Sequence, residues 1–327
     1  MMSAPSDTHM ASSPPTLAIG APRHHVLVFT GLLALLMIAP YVLYPVFVMN
    51  VLCFALFASA LNLLLGYTGL LSFGHAAFFG ASAYVAAHAA KVWGLTPEVA
   101  ILLGTGAAAI LGLGIGALSI RRQGIYFAMV TLAFAQMVYF IALQAPFTGG
   151  EDGIQAVPRG RLFGRIDLNS DLVLYFFVLA ITFGGILFIY RVIHSPFGQV
   201  LKAIRDNEPR AISLGYKVNR YKLAVFVISA TLAGLAGATK AIVFQLASLT
   251  DAHWTMSGEV VLMTLLGGMG TVFGPFVGAA LIVTMQNYFA SFGAWVTVLQ
   301  GVIFVVSVLL FREGIVGVIA RWIKQPL

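Results

Sequence analysis

From Asn62 to Tyr84 the chain reads NLLLGYTGLLSFGHAAFFGASAY, apolar enough for a bilayer yet cut by Gly66, Gly69, Gly74 and Gly80. In hydrocarbon an unpaired backbone group is costly, so non-helical chain at membrane depth survives only where it is packed in protein or lines a wet cavity. A plain membrane anchor is therefore excluded. The stretch predicts a helix that stops and restarts within a larger bundle, an arrangement that marks solute pathways in transporters.

The rest of the chain suits that environment. Hydrophobic types make up 60% of the 327 residues and charged types 9%, against roughly 25% charged in a soluble domain. Apolar runs at about 26–44, 46–65, 75–90, 98–119, 124–145, 172–190, 222–247, 258–268, 274–289 and 295–311 predict an all-α, polytopic membrane protein. At about 20 residues per span there is room for roughly 8–10 transmembrane helices, some of them broken, and for no large soluble domain. Any ATPase or receptor must then be a separate chain.

The net charge of +7 is read as the bias that places Lys and Arg on the cytoplasmic side, with no nucleic-acid partner expected. Cys53 is the single cysteine, which excludes an intrachain disulfide and a thiolate metal cluster. No metal and no cofactor are expected. The Thr148–Gly153 turn, TGGEDG, lacks calcium-loop spacing and reads as a structural turn that meets an external partner.

Arg121 and Arg122 occupy one short loop, and the loop from Arg191 to Lys222 holds most of the remaining positive charge. Two spans separate these loops, so both fall on one side, the cytoplasmic one. The expected organisation is a disordered cytoplasmic tail over 1–25, a transmembrane domain over 26–312 and a cytoplasmic tail over 313–327. Within the domain, 146–171 is a periplasmic loop and 192–221 a cytoplasmic one. The stretch 258–289 reads either as one kinked crossing or as two broken ones.

A second break echoes the first. LLGYTGLLSFG at 64–74 and LLGGMGTVFG at 265–274 share the Leu-Leu-Gly-x-x-Gly opening and the closing Phe-Gly. The alternative is that Gly-rich apolar sequence matches itself by chance. Ser72 and His75 lie close enough to raise an intramembrane serine protease, but no third partner or oxyanion-hole signature accompanies them. Lys240 and Glu259 read as interfacial or snorkelling residues near helix ends.

In the basic loop, Phe197, Val200, Leu201 and Ile204 recur at helical spacing. Asp206, Asn207 and Glu208 before Pro209 mark a new helix start, and Gly215 suits its stop. Such a stub is unstable alone. It reads either as a helix that docks on a cytoplasmic partner or as a solvated connector whose charges set topology.

GYTGLLSFGHAAFFGASAY, GIYFAMVTLAFAQM, TGGEDGI, SPFGQVLKAIRDNEPRAISLGY, RYKLAVFVISATLAGLAGA and LGGMGTVFGPFVGAAL occur in this order. From about Phe54 to Phe311 they resemble the LivM-type permeases of bacterial branched-chain amino acid ABC importers. The resemblance implies a multi-pass transport subunit of the bacterial inner membrane that catalyses no reaction. Its implied partners are a homologous LivH-type permease, two cytoplasmic ATP-binding subunits and a periplasmic substrate-binding protein. Permeases similar to these also serve urea, short amides and aromatic acids.

The resemblance further makes Arg205, Asp206, Asn207, Glu208, Arg210, Ala211 and Gly215 the ATPase-coupling loop, with Pro209 and Arg210 departing from the family's small or aliphatic residues. Asn62, Gly66, Tyr67, Gly69, Ser72, Gly74, His75, Gly267, Gly270 and Gly274 are the candidates for the translocation pathway, because polar groups in broken helices can hydrogen-bond a passing zwitterion. A secondary transporter or channel is the rival of another class, and it leaves the basic loop unexplained. On this map, cysteines placed at Ser213 and Gln155 are expected to react with an impermeant thiol reagent from opposite sides of the membrane; labelling from one side overturns it.

Overall fold

A computed structural model describes residues 23–289, 293, 295–310 and 314–323. Residues 1–22 of the expected amino-terminal tail, and 313 and 324–327 of the carboxy-terminal one, lie outside the described residues. The helices are α1 Arg23–Val42, α2 Pro45–Thr68, α3 His75–Lys91, α4 Pro97–Ser119, α5 Ile125–Gln144, α6 Asp171–Ile193 and α7 Pro196–Asp206. They continue as α8 Glu208–Ser213, α9 Val218–Phe244, α10 Leu249–Ala252, α11 Trp254–Gly267, α12 Gly274–Tyr288, α13 Trp295–Leu310 and α14 Gly314–Ile323. Proline opens α2, α4 and α7, where its missing N–H would go unpaired anyway.

The chain is a polytopic helical membrane protein. Among the described residues α2, α4, α5, α6 and α9 are each long and apolar enough to cross a bilayer alone. At 1.5 Å per residue, α3, α11 and α12 reach only about 21–26 Å, short of the roughly 30 Å of hydrocarbon. The shortfall lies beside the breaks, as the glycine pattern requires.

Helix α9 is the centre, packed on α2, α3 and α4. The approach to α4 depends on small residues: a Cβ on Gly112 would stand 2.6 Å from Ala230 Cβ, and one on Gly234 would overlap Ala108. The far side of α4 shows Ile110, Leu113 and Leu118 outward, as lipid contact demands. Helix α2 is buried along nearly its whole length and forms the core with Phe78, Phe79, Phe127 and Phe226.

Helices α11 and α12 form an antiparallel hairpin. A Cβ on Gly278 would run into Met263 O and one on Gly267 into Gly274 O, while Gln286 Nε2 donates to Glu259 Oε2 at 2.9 Å. The contacts advance along one helix as they retreat along the other, which excludes a single kinked crossing. The segment after 313 is more than a tail, since α14 packs on this hairpin with Gly314 against Gly268.

Gln123, in the α4–α5 turn, donates to Glu208 Oε1 at 3.3 Å, so that turn and α8 share one end of the bundle. The other end carries two-residue strands in an otherwise helical chain. There β1 (Ile154–Gln155) pairs antiparallel with β4 (Leu246–Ala247), and β2 (Arg161–Leu162) with β3 (Ile166–Asp167). Arg159 is tied to Asp171 at 2.7 Å beside them.

Both ends of α9 hold a paired cation, Lys222 buried and Lys240 half-buried. Lys222 pairs with Glu208 at 2.7 Å. Lys240, read as snorkelling, turns inward to Asp251 and stands 5.5–5.9 Å from the ring centres of Phe54, Phe79 and Phe244. Gly234→Leu is expected to cost about 1–3 kcal/mol through overpacking against α4, whereas Gly106→Leu, with open space beside it, should be neutral. Thermal unfolding of the detergent-solubilised chain compares them, and equal midpoints would contradict the packing.

Candidate functional site

The two glycine breaks meet. The Asn62 side chain leaves α2 and bonds the opposite break twice: Nδ2 donates to Thr271 O at 2.7 Å and Oδ1 accepts from Gly270 N at 2.8 Å. One amide thus satisfies a donor and an acceptor freed where α11 ends, as a low-dielectric setting demands. A Cβ on Gly66 would lie 2.6 Å from Gly270 N. Only glycine permits that contact. Gly270 itself has φ +78°, the left-handed region that glycine adopts without penalty.

The basic loop reaches the same point. Arg205, near the end of α7, donates from Nη1 to Gly66 O at 2.6 Å. Its target is a carbonyl in the last turn of α2, which has no full helical partner and favours a cation. Gly69 closes α2 in the left-handed conformation, φ 72°, with its N–H on Leu65 O at 3.0 Å. Tyr67 is buried beneath Lys202, whose Nζ sits 5.9 Å from the ring centre. Burial, and then the Arg205 guanidinium, push the Lys202 ammonium below its usual range, with Asp206 opposing.

The breaks close alike. Ser72 Oγ accepts from Gly74 N at 3.2 Å and Thr271 Oγ1 from Gly274 N at 3.0 Å, each just where the next helix begins. Gly267 lies against Gly274 within the α11–α12 hairpin.

The pathway candidates divide into three groups, of which the Gly267–Gly274 contact within the hairpin is one. Asn62, Gly66, Tyr67, Gly69 and Gly270 gather around Arg205. Ser72, Gly74 and His75 do not join them, and face α5 and α9. Gly74 packs on Thr131, and His75 is fully buried with Nε2 2.8 Å from Ser229 Oγ. Ser229 gives its single hydroxyl proton to Ala60 O, so His75 Nε2 donates to it. The histidine is a strut among α2, α3 and α9, and the Ser72–His75 pairing that proteolysis needs is not formed.

The loop residues likewise split. Asn207 caps α8, its Oδ1 accepting from Arg210 N at 3.0 Å. Ala211 is buried against Ile204 and Val218, and Glu208 folds inward onto Lys222. Asp206 and Arg210 face outward, and Gly215 (φ +88°) turns the chain with open space around it. Beside them Ile212, Leu214 and Tyr216 stand exposed at 56%, 67% and 40%. A groove of about 450 Å³ runs from Thr68 and Gly69 to Gly124, Arg205 and Glu208.

Sequence reasoning missed Thr271, Lys222 and Ser229. Lys222, a lone lysine at the head of an apolar run, carried a signal. Ser229, one small residue inside such a run, carried none.

Comparison with known proteins fits this architecture. Residues 46–308 match the family model described as branched-chain amino acid transport system / permease component. The high-affinity branched-chain amino acid transport system permease proteins LivM of Salmonella typhimurium and Escherichia coli are each 28% identical over 278 residues, 78% of this chain. The match spans 65% of those relatives' own length. The ribose import permease protein RbsC of Bacillus subtilis is 28% identical over 245 residues, 68% of this chain and 70% of that one. No solved structure matches.

Replacing Asn62 by Leu strands Gly270 N–H and Thr271 C=O at the junction. Both groups are only half-buried, which places each toward the lower end of about 1–3 kcal/mol, and the variant is expected to lose about 2–4 kcal/mol of stability and to unfold at lower temperature. Asn62→Gln, which keeps the amide, should recover part of it. Equal stability of Asn62→Leu and the parent chain would show that the two breaks do not depend on this amide.

Proposed function

Because this chain belongs to the family of branched-chain amino acid transport system permease components, we propose that it is the membrane-spanning permease of an ATP-driven importer. The solute is a branched-chain amino acid or a similar small polar molecule, delivered by a periplasmic binding protein and released into the cytoplasm. Two cytoplasmic chains hydrolyse the ATP, and a LivH-type permease pairs with this one. The membrane is the bacterial inner membrane, and the amino terminus and the α7–α8 loop face the cytoplasm.

The observation that carries this reading is the Arg205 Nη1 bond to Gly66 O. It supports a mechanical route. An ATPase that seats on Ile212, Leu214 and Tyr216 moves α8, and α7 moves with it. Arg205 then pulls on the end of α2 where Gly66 touches Gly270, so both breaks shift together. ATP binding can drive the change only through a difference in affinity for the two states, and a bond from the docking loop to the breaks is where such a difference acts. A secondary transporter would give Arg205 and the exposed apolar trio no such use.

Isolation from native membranes with this chain as bait is expected to recover a second permease, two ATPases and a binding protein. In the reconstituted complex, Arg205→Met should lower solute-stimulated ATP hydrolysis at least fivefold while the ATPases still co-purify. Recovery of no ATPase overturns the importer reading. Undiminished stimulation in Arg205→Met overturns the route.

A further inference from the structure

A groove of about 490 Å³ opens where α7 meets the start of α9. Lys217, Tyr221 and Ala224 follow at intervals of four and three residues, so one face of α9 and its cap line the groove, with Arg220 alongside. Phe197, near the start of α7, closes the other side with its ring stacked on Tyr221 at 5.6 Å, and Tyr216 meets Tyr221 edge-on at 6.1 Å. Gly215, at φ +88°, makes the turn that brings Tyr216 and Lys217 to the rim.

The rim is positive. Lys217 and Arg220 are exposed, and no Asp or Glu is among the described residues that line the groove. Neither cation has a carboxylate within 4.0 Å among the described residues. Their neighbours differ, since Lys222 is held by Glu208 and Arg205 by Asp206. Two cations in one groove without a counter-charge call for an anion.

Depth in the bilayer narrows the choice. No charged residue occurs between Lys222 and Lys240, a helical stretch of about 27 Å that fits the hydrocarbon layer. Lys217 and Arg220 precede it, at the level of the headgroups, where tyrosine rings also settle. From the groove onward Ala224, Ile228, Thr231 and Leu235 recur at helical spacing, and none of them is buried. Thr231 satisfies its own hydroxyl on Val227 O at 2.7 Å. The stripe therefore offers no polar group in need of a partner, and it runs from a positive groove into hydrocarbon.

We propose that this groove binds the headgroup phosphate of an anionic phospholipid, with an acyl chain laid along the face of α9 that carries Ala224, Ile228, Thr231 and Leu235. The Arg220 guanidinium offers a fork of N–H donors to the phosphate oxygens, and the Lys217 ammonium adds a point charge. Basic pockets beside spanning helices hold such headgroups. A soluble anion would use the cations alone, whereas a lipid uses the apolar face as well. Tyr216 belongs also to the surface assigned to the ATPase, so a bound headgroup borders that seat. The assignment needs only a chain that spans a bilayer, and it does not depend on what the importer carries.

The full chain in a neutral detergent is titrated with phosphatidylglycerol or with phosphatidylcholine of the same acyl chains, and bound lipid is counted by native mass spectrometry. Phosphatidylglycerol is expected to bind at least fivefold more tightly, and that preference to fall at least threefold in Lys217→Gln/Arg220→Gln. Arg121→Gln/Arg122→Gln removes two charges from the same end of the bundle but outside the groove, and it should keep the preference. Equal loss in the two pairs overturns the site. Ala224→Trp fills the groove and keeps both cations, so it too should weaken phosphatidylglycerol binding at least threefold; binding indifferent to it overturns the groove. All five substituted side chains are exposed, so none of these results depends on misfolding. Glycerol 3-phosphate has the charge without the chains and should not displace the lipid at equal concentration; displacement assigns the groove to a soluble anion and overturns the lipid. Absence of any preference in the parent chain overturns it as well, and loss of co-purifying ATPases in Lys217→Gln/Arg220→Gln would then give the groove to that partner.

Discussion

One primary amide holds the two interruptions of this bundle together. Where a helix ends, carbonyls and amides lose their helical partners, and in a half-buried junction leaving them unpaired is costly. Asn62 presents a donor and an acceptor on one rigid group, and the backbone of Gly270 and Thr271 needs one of each. Gly66 brings the two chains close enough for that exchange, and Arg205 takes up the carbonyl that remains. Remove the side chain at 62 and the glycines become a liability, because nothing else described at that point offers both halves of the pairing.

Helix positions were legible in the sequence because hydrocarbon imposes a length and a polarity on each segment. The apolar run at 222–247 becomes α9 with its entry at Val218, and the short runs at 258–268 and 274–289 become α11 and α12. Gly112 and Gly234 let α4 and α9 approach closely, a use that small residues inside apolar runs commonly serve. The direction of α12 relative to α11 was not legible. Both a kink and a hairpin use the same glycines, and only the contact between Met263 and Gly278 separates them.

Side-chain destinations were harder to read, for a physical reason. A polar residue beside a break looks the same in sequence whether it lines a passage or braces a neighbouring helix, since both uses need a donor or acceptor in an apolar setting. His75 and Ser72 brace α3, while Asn62 reaches across the molecule. Glu208 stands in a water-compatible loop and looked free to meet a partner. Its carboxylate instead neutralises Lys222, which the start of α9 buries. The exposed Ile212, Leu214 and Tyr216 take over the outward role, and their sequence signal, apolar residues around a glycine stop, was present but modest.

The two lysines of α9 also limit how the bundle can move. Each is held by a carboxylate from a segment flanking the helix, Lys222 by Glu208 on α8 and Lys240 by Asp251 on α10. Sliding α9 along its own axis would separate at least one pair in a low-dielectric setting, where a lone buried charge is far more costly than a broken surface contact. Rotation and tilt of its neighbours leave both pairs nearly intact. The central helix therefore acts as a fixed axle, pinned at both hubs, and displacement of the breaks takes the form of swinging around it and not of a piston stroke along it.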